Sequence, residues 1–310
     1  MAEPGRGGLT VHAPAKVNLY LHVTGRRADG YHLLDSLVVF AGVADRLVAS
    51  PAPVLTFEAR GPFAGGLGAA DDNLVLRAAD GLAELAGVRT GAAIVLEKNL
   101  PVAAGIGGGS ADAAAALRLL ARLWKVRPRP DALADLAAGL GADLPVCLFG
   151  RPAFLSGVGE AVTPAPALPD AWLVLVNPGV ALATAEVFSR RTAPPGTPGR
   201  FPPVADLDDL VRVLAPLRND LAEVAAGLVP QVGFALAALD RLPGCRLARM
   251  SGSGATCFGL FATADAARAA ARRLRRDRPG WWVRAAPILR RRAPVRVAAR
   301  DLPVSAAPNR

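Results

Sequence analysis

A glycine-rich segment around residue 107 has the residue types of an anion-binding loop. Its four glycines lie within five positions: Gly105, Gly107, Gly108 and Gly109. The apolar segment 92–96 before it is typical of a buried strand, and the alanine- and leucine-rich segment 110–124 after it is typical of a helix. Glycine adopts positive φ at little cost and lets a ligand approach the backbone, and Ser110 is a favourable N-cap. The unpaired amides of the first helical turn then predict a site for an anion, most often phosphate.

Several well-known phosphate motifs are excluded. No lysine precedes Ser110, as a G-x-x-x-x-G-K-[ST] loop requires, and a dinucleotide-binding G-x-G-x-x-G would need glycine at position 110. The chain also lacks the H-R-D and D-F-G elements of protein kinases. The segment is therefore a phosphate loop of another kind, and the alternative is a flexible turn between a strand and a helix.

Lysine is rare in this chain, which makes its positions informative. It occurs only at Lys16, Lys98 and Lys125, and the remaining Lys and Arg positions are all arginine. A position that keeps lysine indicates a need for a compact ammonium rather than a planar guanidinium. In segment 17–23 apolar and polar residues alternate, which predicts a half-buried strand with Lys16 and Asn18 on one face. Pro14 should lie at an edge of the sheet or just before this strand. Lys98 ends the strand before the glycine loop, where its ammonium could reach a bound phosphate.

Composition narrows the functional classes. The 310 residues, 52% of them apolar, suffice for a sizeable core and two domains. No run of about 18 uncharged apolar residues predicts a membrane span, and the first residues lack the apolar core of a signal peptide. Three cysteines without metal-ligand spacing favour a reduced, cytoplasmic setting. The net charge of +10 is concentrated late in the chain without interleaved aromatic residues, so it favours attraction of anionic small molecules at least as much as nucleic-acid binding.

Segment 101–114 closely resembles the second motif of the GHMP kinases, the family of galactokinase, homoserine kinase, mevalonate kinase and phosphomevalonate kinase. Segments 13–19 and 247–261 resemble the first and third motifs of that family, in the same order. The resemblance implies ATP as the phosphoryl donor, with its phosphates on the glycine loop and its adenine near Asn73. The implied ATP-binding residues are Pro101, Val102, Ala103, Ala104, Gly105, Ile106, Gly107, Gly108, Gly109, Ser110, Ala111 and Asn73.

Segment 141–146 is similar to the family's G-A-D-x-P sequence, whose aspartate is the catalytic base. By this resemblance Asp143 receives the proton of the attacking hydroxyl, while Lys16 keeps the carboxylate ionised and stabilises developing negative charge. On spacing alone, Asp143 is equally well explained as a turn residue between a helix and a strand running toward Phe149. Mg²⁺ is the implied cofactor, and Ser110 is its candidate ligand because Ala111 replaces the second serine of many family members.

Loop 25–32 ends in Arg-Ala-Asp-Gly-Tyr-His. It resembles the cytosine-holding segment of one branch of the family, which acts on a cytidine-diphosphate-linked polyol in isoprenoid synthesis. The resemblance implies that Tyr31 stacks on the base and His32 lies at its polar edge, whereas the alternative is a loop tyrosine that anchors a hairpin. The other implied substrate-binding residues are Asn18, Lys98, Thr184 and Phe188.

The fold implied by the resemblance is α+β, a two-domain GHMP kinase fold. Its N-terminal domain is ribosomal-protein-like and its C-terminal domain is ferredoxin-like. We place the N-terminal ATP-binding and catalytic domain at 1–160, the C-terminal GHMP domain at 161–290, and a basic, disordered tail at 291–310. A monomer and a homodimer are both compatible with the sequence.

Three functional hypotheses follow. The favoured one is a kinase of the cytidine-linked polyol, with ATP and that polyol as small-molecule partners and no nucleic-acid or membrane partner. The second is another GHMP kinase, of the mevalonate or homoserine type, in which loop 25–32 is purely structural. The third is an RNA-binding protein that uses the basic tail, because ribosomal and translation-factor domains share the N-terminal fold.

Overall fold

One continuous sheet of eleven strands organises the computed structural model, which describes residues 8–68 and 72–298. The strands are β1 (Leu9–Arg26), β2 (His32–Ala52), β3 (Thr56–Arg60), β4 (Gly91–Glu97), β5 (Ala153–Ser156), β6 (Ala161–Pro164), β7 (Trp172–Asn177), β8 (Leu247–Met250), β9 (Cys257–Phe261), β10 (Trp282–Leu289) and β11 (Arg296–Val297). Along its main path the order is β11-β1-β2-β10-β7-β9-β8. Strands β4 and β5 also pair with β2, so this 21-residue strand is the one on which both halves of the molecule assemble.

Nine α-helices accompany these strands within the described ranges. They are α1 (Leu74–Ala86), α2 (Gly108–Leu123), α3 (Pro130–Leu140), α4 (Leu144–Phe149), α5 (Thr184–Ser189), α6 (Leu207–Leu214), α7 (Ala222–Leu228), α8 (Pro230–Asp240) and α9 (Ala264–Asp277). Helices α1 to α4 bury apolar residues against the N-terminal strands, and α7 to α9 do so against β7 and β9. A third apolar cluster combines β1, β2, β7 and β10 and joins the two parts into one body.

Strand β1 is buried on both faces, so the prediction of a half-buried strand is wrong. Every residue from 15 to 23 is buried, including the polar Lys16, Asn18 and His22. Along β1 the apolar residues enter three clusters in turn: residues 11 and 13 the one beneath α2, residues 15, 17, 19 and 20 the one shared by both parts, and residues 21 and 23 the C-terminal one. Pro14 lies inside the strand, at a shift in its register with β2, and β11 pairs only with Leu9 and Thr10. Pro14 therefore sits where the outer side of β1 is locally an edge, as predicted.

The segment after Asp143 forms the short helix α4, and the predicted strand toward Phe149 is wrong. Pro145 lies in the first turn of α4, where its missing amide costs no hydrogen bond and its fixed φ suits the helix. Asp143 occupies the N-cap position but makes no side-chain capping bond. Its carboxylate is therefore left for contacts outside the helix.

The predicted domain limits need two corrections. The boundary between residues 160 and 161 cuts the β5–β6 hairpin, whose first strand pairs with β2, so β6 belongs to the N-terminal sheet. The tail does not begin at 291, because β11 pairs with β1 and Ala298 donates a 2.8 Å hydrogen bond to the Gly8 carbonyl. Prediction of a disordered tail is wrong for 291–298, and residues 299–310 lie outside the described ranges.

Arg249 ties β8 to the N-terminal part through a buried guanidinium. It donates to the carbonyls of Leu19 (2.6 Å), Leu214 (3.0 Å) and Leu217 (2.6 Å). Burial lowers the pKa of Arg249 to about 10, which leaves it charged at neutral pH. One cation therefore satisfies three carbonyls, from β1, from the last residue of α6 and from the segment after that helix.

Replacing this cation tests how firmly the two parts are joined. Arg249→Met should lower the free energy of unfolding by about 3 kcal/mol, because three carbonyls lose a charged donor inside the core. Arg246→Met removes an exposed arginine paired with Asp208 and should cost less than about 1 kcal/mol. Urea unfolding of both variants measures the difference, and similar losses would contradict the bridging role.

Candidate active site

The glycine loop enters α2 earlier than the sequence predicted. Gly107 is the N-cap residue, with the left-handed φ of 60°, and α2 begins at Gly108. Ser110 is therefore the third residue of the helix, and its prediction as N-cap is wrong because the glycines themselves allow the turn. The amides of residues 108–110 belong to the first turn and lack intrahelical acceptors. They leave the loop with the predicted arrangement for an anion.

A second glycine-rich loop, 251–254, packs against the phosphate loop backbone to backbone. The Ser251 hydroxyl donates to the Gly105 carbonyl (3.0 Å) and accepts from the Asn18 amide (3.1 Å). A Cβ at Gly105 would lie 2.5 Å from the Ser251 carbonyl oxygen, and a Cβ at Gly252 would lie 2.7 Å from that of Gly105. These contacts need glycine at both positions, so the C-terminal part directly shapes the phosphate loop.

Lys16 and Asp143, 127 positions apart in sequence, form an ion pair beside the loop. The Lys16 Nζ lies 2.9 Å from Asp143 Oδ2 and donates to Asn18 Oδ1, also at 2.9 Å. Asn18 in turn donates to the Ser36 hydroxyl at 2.8 Å, which fixes its amide. The Lys16 side chain is only 4% exposed, whereas that of Asp143 is 37% exposed. A held ammonium therefore stands behind a carboxylate that is open to solvent.

These groups line one cavity of about 880 Å³, together with loop residues 103–105 and 107–110. This volume is in the range of small-molecule sites. Four residues of the predicted ATP loop do not line it: Pro101, Val102, Ile106 and Ala111. Ile106 belongs to the apolar cluster that joins the two parts of the molecule, and Ala111, on α2, belongs to the cluster between α2 and the N-terminal strands. Ile106 and Ala111 therefore attach the loop to the core, and the backbone of the residues next to them forms the cavity wall.

An aromatic group lines the same cavity. The rings of His32 and Phe188 are stacked with centroids 5.1 Å apart, and the Tyr31 side chain is 65% exposed. Burial, with help from Arg26 and Arg191, lowers the pKa of His32, so its ring is neutral at pH 7. Thr184 lines the cavity as well and shares a 2.8 Å hydrogen bond with Ser253. Tyr31, His32, Thr184 and Phe188, predicted from two separate segments, thus lie around one cavity.

Two predicted site residues are placed elsewhere. Asn73 caps α1, since its Oδ1 accepts a 2.9 Å hydrogen bond from the Val75 amide, and its neighbour Leu74 lines the cavity instead. Lys98 does not reach the cavity, so its prediction as a substrate-binding residue is not supported by the structure. Its ammonium lies 2.5 Å from Asp45 Oδ2 and 2.7 Å from Asp112 Oδ2, and these buried carboxylates occupy it.

The two carboxylates around Lys98, those of Asp45 and Asp112, anchor the ends of the phosphate loop, and sequence reasoning missed both. Asp45 also accepts from the amides of Asn99 (2.5 Å) and Leu100 (2.8 Å), just before the phosphate loop. Asp112 lies in the second turn of α2, within a run of alanines, and a lone acid on such an apolar helix was a usable signal. Asp45 gave no local signal, because its partners lie more than 50 positions away.

The two acids differ in how well their charge is compensated. Burial raises the pKa of Asp112 well above its usual range, with Lys98 opposing the shift, and Asp112 Oδ1 has no hydrogen-bond partner. Both carboxylate oxygens of Asp45, by contrast, accept hydrogen bonds. Asp112 is therefore the acid whose neutral form the site tolerates better.

Amide substitutions should separate the two acids. Asp45→Asn should lower the free energy of unfolding by about 3 kcal/mol. The new NH₂ group must face either the Lys98 ammonium or the amides of residues 99 and 100, all of which are donors. Asp112→Asn should cost about 1 kcal/mol, because the amide oxygen can still accept from Lys98. Urea unfolding at pH 7 measures both, and a larger loss for Asp112→Asn would refute this assignment.

The pH dependence gives an independent check. Because the pKa of Asp112 is raised in the folded state, its contribution to stability is full below the ordinary carboxyl pKa and is lost as the pH rises through the raised value. Asp112→Asn should remove this downward slope of stability with pH. Asp135→Asn, an exposed change on α3, should leave the slope as it is.

Comparison with known proteins agrees with this fold. The family profile "GHMP kinases N terminal domain" matches residues 73–151, and "GHMP kinases C terminal" matches residues 204–279. The chain belongs to the GHMP kinase family, and it is an ATP-dependent phosphotransferase that acts on an alcohol group. The predicted two-domain α+β GHMP kinase fold is confirmed.

Curated relatives narrow the resemblance further. The chain is 58% identical over 275 residues to the 4-diphosphocytidyl-2-C-methyl-D-erythritol kinase of Cereibacter sphaeroides, covering 87% of this chain and 96% of that one. It is 55% identical over 282 residues to the enzyme of the same name from Paramagnetospirillum magneticum, covering 90% and 98%.

In the part of the chain that the structure describes, no helix is long and apolar enough to cross a membrane.

Solved structures give the same result. A crystal structure of 4-(cytidine 5'-diphospho)-2C-methyl-D-erythritol kinase matches with a TM-score of 0.73 and 38% identity, covering 90% of this chain and 98% of that one. Homoserine kinase from Cytophaga hutchinsonii matches with a TM-score of 0.69 but only 16% identity, covering 95% and 99%. The second match shows a shared fold alone.

Proposed function

We propose that this kinase transfers the γ-phosphoryl group of ATP to the 2-hydroxyl of 4-diphosphocytidyl-2-C-methyl-D-erythritol. The products are the 2-phosphate and ADP, in the non-mevalonate pathway of isoprenoid synthesis. One observation carries the proposal: a single cavity holds an aromatic group suited to a base and an ion pair suited to a reacting hydroxyl. The names of the relatives at 50–58% identity support this choice of substrate.

Asp143 is the proposed general base. Its carboxylate is the more open member of the ion pair with Lys16 and lies beside the N-terminus of α2. A hydroxyl placed against Asp143 Oδ2 could give up its proton there as the oxygen attacks phosphorus. The Lys16 ammonium, held by Asn18, then stabilises the negative charge that develops on the attacking oxygen. Asn18 acts through Lys16 as a positioning residue.

The glycine loop is the proposed site for the ATP phosphates. A Cβ at Gly107 would lie 3.0 Å from Lys16 Cε and 3.5 Å from Asp143 Oδ2, so the loop can bring a phosphate close to the catalytic pair only with glycine there. The first-turn amides and the positive end of α2 would bind its oxygens. Asn73 stays a proposed adenine neighbour only through its position next to Leu74.

Mg²⁺ is proposed to accompany ATP. The described residues contain no group of three His, Cys, Asp or Glu side chains that could hold a metal alone. This fits Mg²⁺, which usually keeps several waters and is bound through substrate phosphates plus one or two protein oxygens. The Ser110 hydroxyl lines the cavity at the loop and is the proposed protein ligand. Bound there, the ion would neutralise phosphate charge.

The cytosine is proposed to lie at the aromatic end of the cavity. Tyr31, mostly exposed, would stack on one face of the base, and the His32–Phe188 pair would form the opposite wall. Stacking tolerates any base, so identity must come from hydrogen bonds. The neutral His32 ring, with one donor and one acceptor nitrogen, is suited to the polar edge of cytosine.

A substrate panel tests the proposed reaction. With ATP and Mg²⁺, the purified enzyme should consume ATP with 4-diphosphocytidyl-2-C-methyl-D-erythritol and not with mevalonate, homoserine or galactose. Product detection by mass should show one added phosphoryl group. Turnover only with one of the other alcohols would overturn the proposed substrate.

Substituting the base tests the mechanism. Asp143→Asn should lower kcat by roughly 10²- to 10⁴-fold, because the hydroxyl loses its proton acceptor. The Kd for ATP, measured by calorimetry, should stay within about twofold, since the loop backbone is unchanged. Asp135→Asn, an exposed acid on α3 that lines no part of the cavity, is the matched control and should keep full activity. Near-normal turnover of Asp143→Asn would exclude a base role.

Substituting Tyr31 tests how the enzyme recognises the base. Tyr31→Ala should raise KM for the cytidylated substrate by about tenfold, because base stacking contributes about 1–3 kcal/mol. Tyr31→Phe keeps the ring and should restore KM, and neither change should alter KM for ATP. Equal KM values for Tyr31→Ala and Tyr31→Phe would mean that the tyrosine has only a structural role in its loop.

A further inference from the structure

A second cavity, of about 780 Å³, lies far from the catalytic pair. It is formed by the C-terminal half of α2, the turn 125–128, Leu133 of α3 and residues 292–295 before β11. Ser110 at the catalytic end of α2 is about 20 Å along the helix axis from Leu123 at the other end. The two cavities share no lining residue, so this is a separate feature of the molecule.

Five cationic side chains converge on this cavity: Arg118, Arg122, Lys125, Arg127 and Arg292. Its lining contains no Asp or Glu, and none of the five cations forms an ion pair within the described ranges. Half of the other arginines in the described ranges do form ion pairs, as Arg46 and Arg60 do with Glu97. The second cavity is therefore a concentration of uncompensated positive charge.

Three of the five cations hold the backbone through hydrogen bonds, but these bonds do not explain why five cations lie together. The guanidinium of Arg118 donates to the Ala293 carbonyl, that of Arg122 to Val295 (2.8 Å), and that of Arg292 to Leu148 (3.2 Å). Each of these bonds uses one of the five donors on a guanidinium. Burial and the neighbouring Arg292 lower the pKa of Arg118 to about 10, so Arg118 is still charged at pH 7 although Arg292 repels it.

The other two cations have no structural work at all. Lys125 and Arg127 make no side-chain hydrogen bond or ion pair in the part of the chain that the structure describes. Lys125 is one of only three lysines in the chain, and the other two are buried in ion pairs. Its backbone has the left-handed φ of 56°, an uncommon conformation for lysine. The turn thus presents two free cations to the cavity.

The rest of the lining is apolar. Leu117, Ala121, Val126, Leu133 and Pro294 contribute hydrocarbon surface between the charged groups. A cavity with cations at its rim and apolar walls is suited to a compact anion of high charge density, alone or with a short hydrocarbon group. Phosphate oxygens match guanidinium forks in geometry.

We propose that this cavity is a binding site for a small polyanion that carries a diphosphate group. Arg118, Arg122 and Arg292 would bind it with their remaining donors, and Lys125 and Arg127 would close over it. The bound molecule would bridge α2 to residues 292–295. It would thereby strengthen the attachment of β11 without entering the catalytic cavity.

The test uses inorganic diphosphate and a short n-alkyl diphosphate as probes. Calorimetry is performed on the full chain at about 150 mM salt, first without and then with a non-hydrolysable ATP analogue that saturates the catalytic cavity. Both probes should bind one site per chain. Tighter binding of the alkyl form points to a hydrocarbon-bearing ligand, and equal binding points to the diphosphate group alone.

Two double variants of equal charge change identify the site. Lys125→Gln with Arg127→Gln should weaken diphosphate binding by about tenfold or more, and loses no side-chain hydrogen bond that holds the fold. Arg272→Gln with Arg275→Gln removes two exposed charges from α9 and should leave the affinity unchanged. Both double variants should keep normal turnover, which verifies folding.

Three results would overturn the proposal. One is the absence of binding to the wild-type chain at millimolar diphosphate. The second is equal weakening in both double variants, which would mean attraction by overall charge only. The third is binding that disappears when the ATP analogue is present, which would assign the probe to the catalytic cavity.

Discussion

The buried ammonium of Lys98 is the contact on which the catalytic end of the molecule depends. It joins Asp45 of β2 to Asp112 of α2, and Asp45 also holds the amides at residues 99 and 100. Strand, loop and helix are thereby fixed around one buried charge. The phosphate loop runs between these anchored points, so its backbone can be glycine-rich and still have one conformation. Breaking a buried ion pair is costly because it leaves an uncompensated charge.

The remaining constraint on the loop comes from the other half of the chain. Residues 251–254 contact Gly105 at distances that exclude any side chain, and Ser251 connects the loop to Asn18 of β1. Asn18 in turn holds Lys16, which pairs with Asp143. A chain of short contacts therefore runs from the C-terminal part to the carboxylate of Asp143, the proposed general base. The geometry of the reacting groups depends on both halves being in place.

Local chemistry made much of this site predictable from sequence. The glycine cluster depends on neighbours within a few residues, and that pattern is strong. Asp143 was singled out as a base only through the family resemblance, because its spacing alone fits a turn residue equally well. The start of α2 at Gly108 and the helix after Asp143 were missed, because the positive φ of Gly107 and the first-turn Pro145 act on backbone geometry rather than on hydrophobic pattern. The partners of Lys98 and the burial of both faces of β1 depend on contacts between distant segments. Periodicity carries no information about those.

The pairing of β11 with β1 brings residues 8 and 298 within one hydrogen bond of each other. The first and last described residues therefore lie side by side, at the ends of the adjacent strands β1 and β11 of one sheet. A covalent link between these two points would span only a few residues and would leave every strand pairing intact. A circularly permuted chain, in which the same segments are synthesised in a shifted order, could therefore form the same structure. New ends could be placed in an exposed connection such as residues 278–280 between α9 and β10, and the proposed catalytic cavity, built from both halves, would still be assembled.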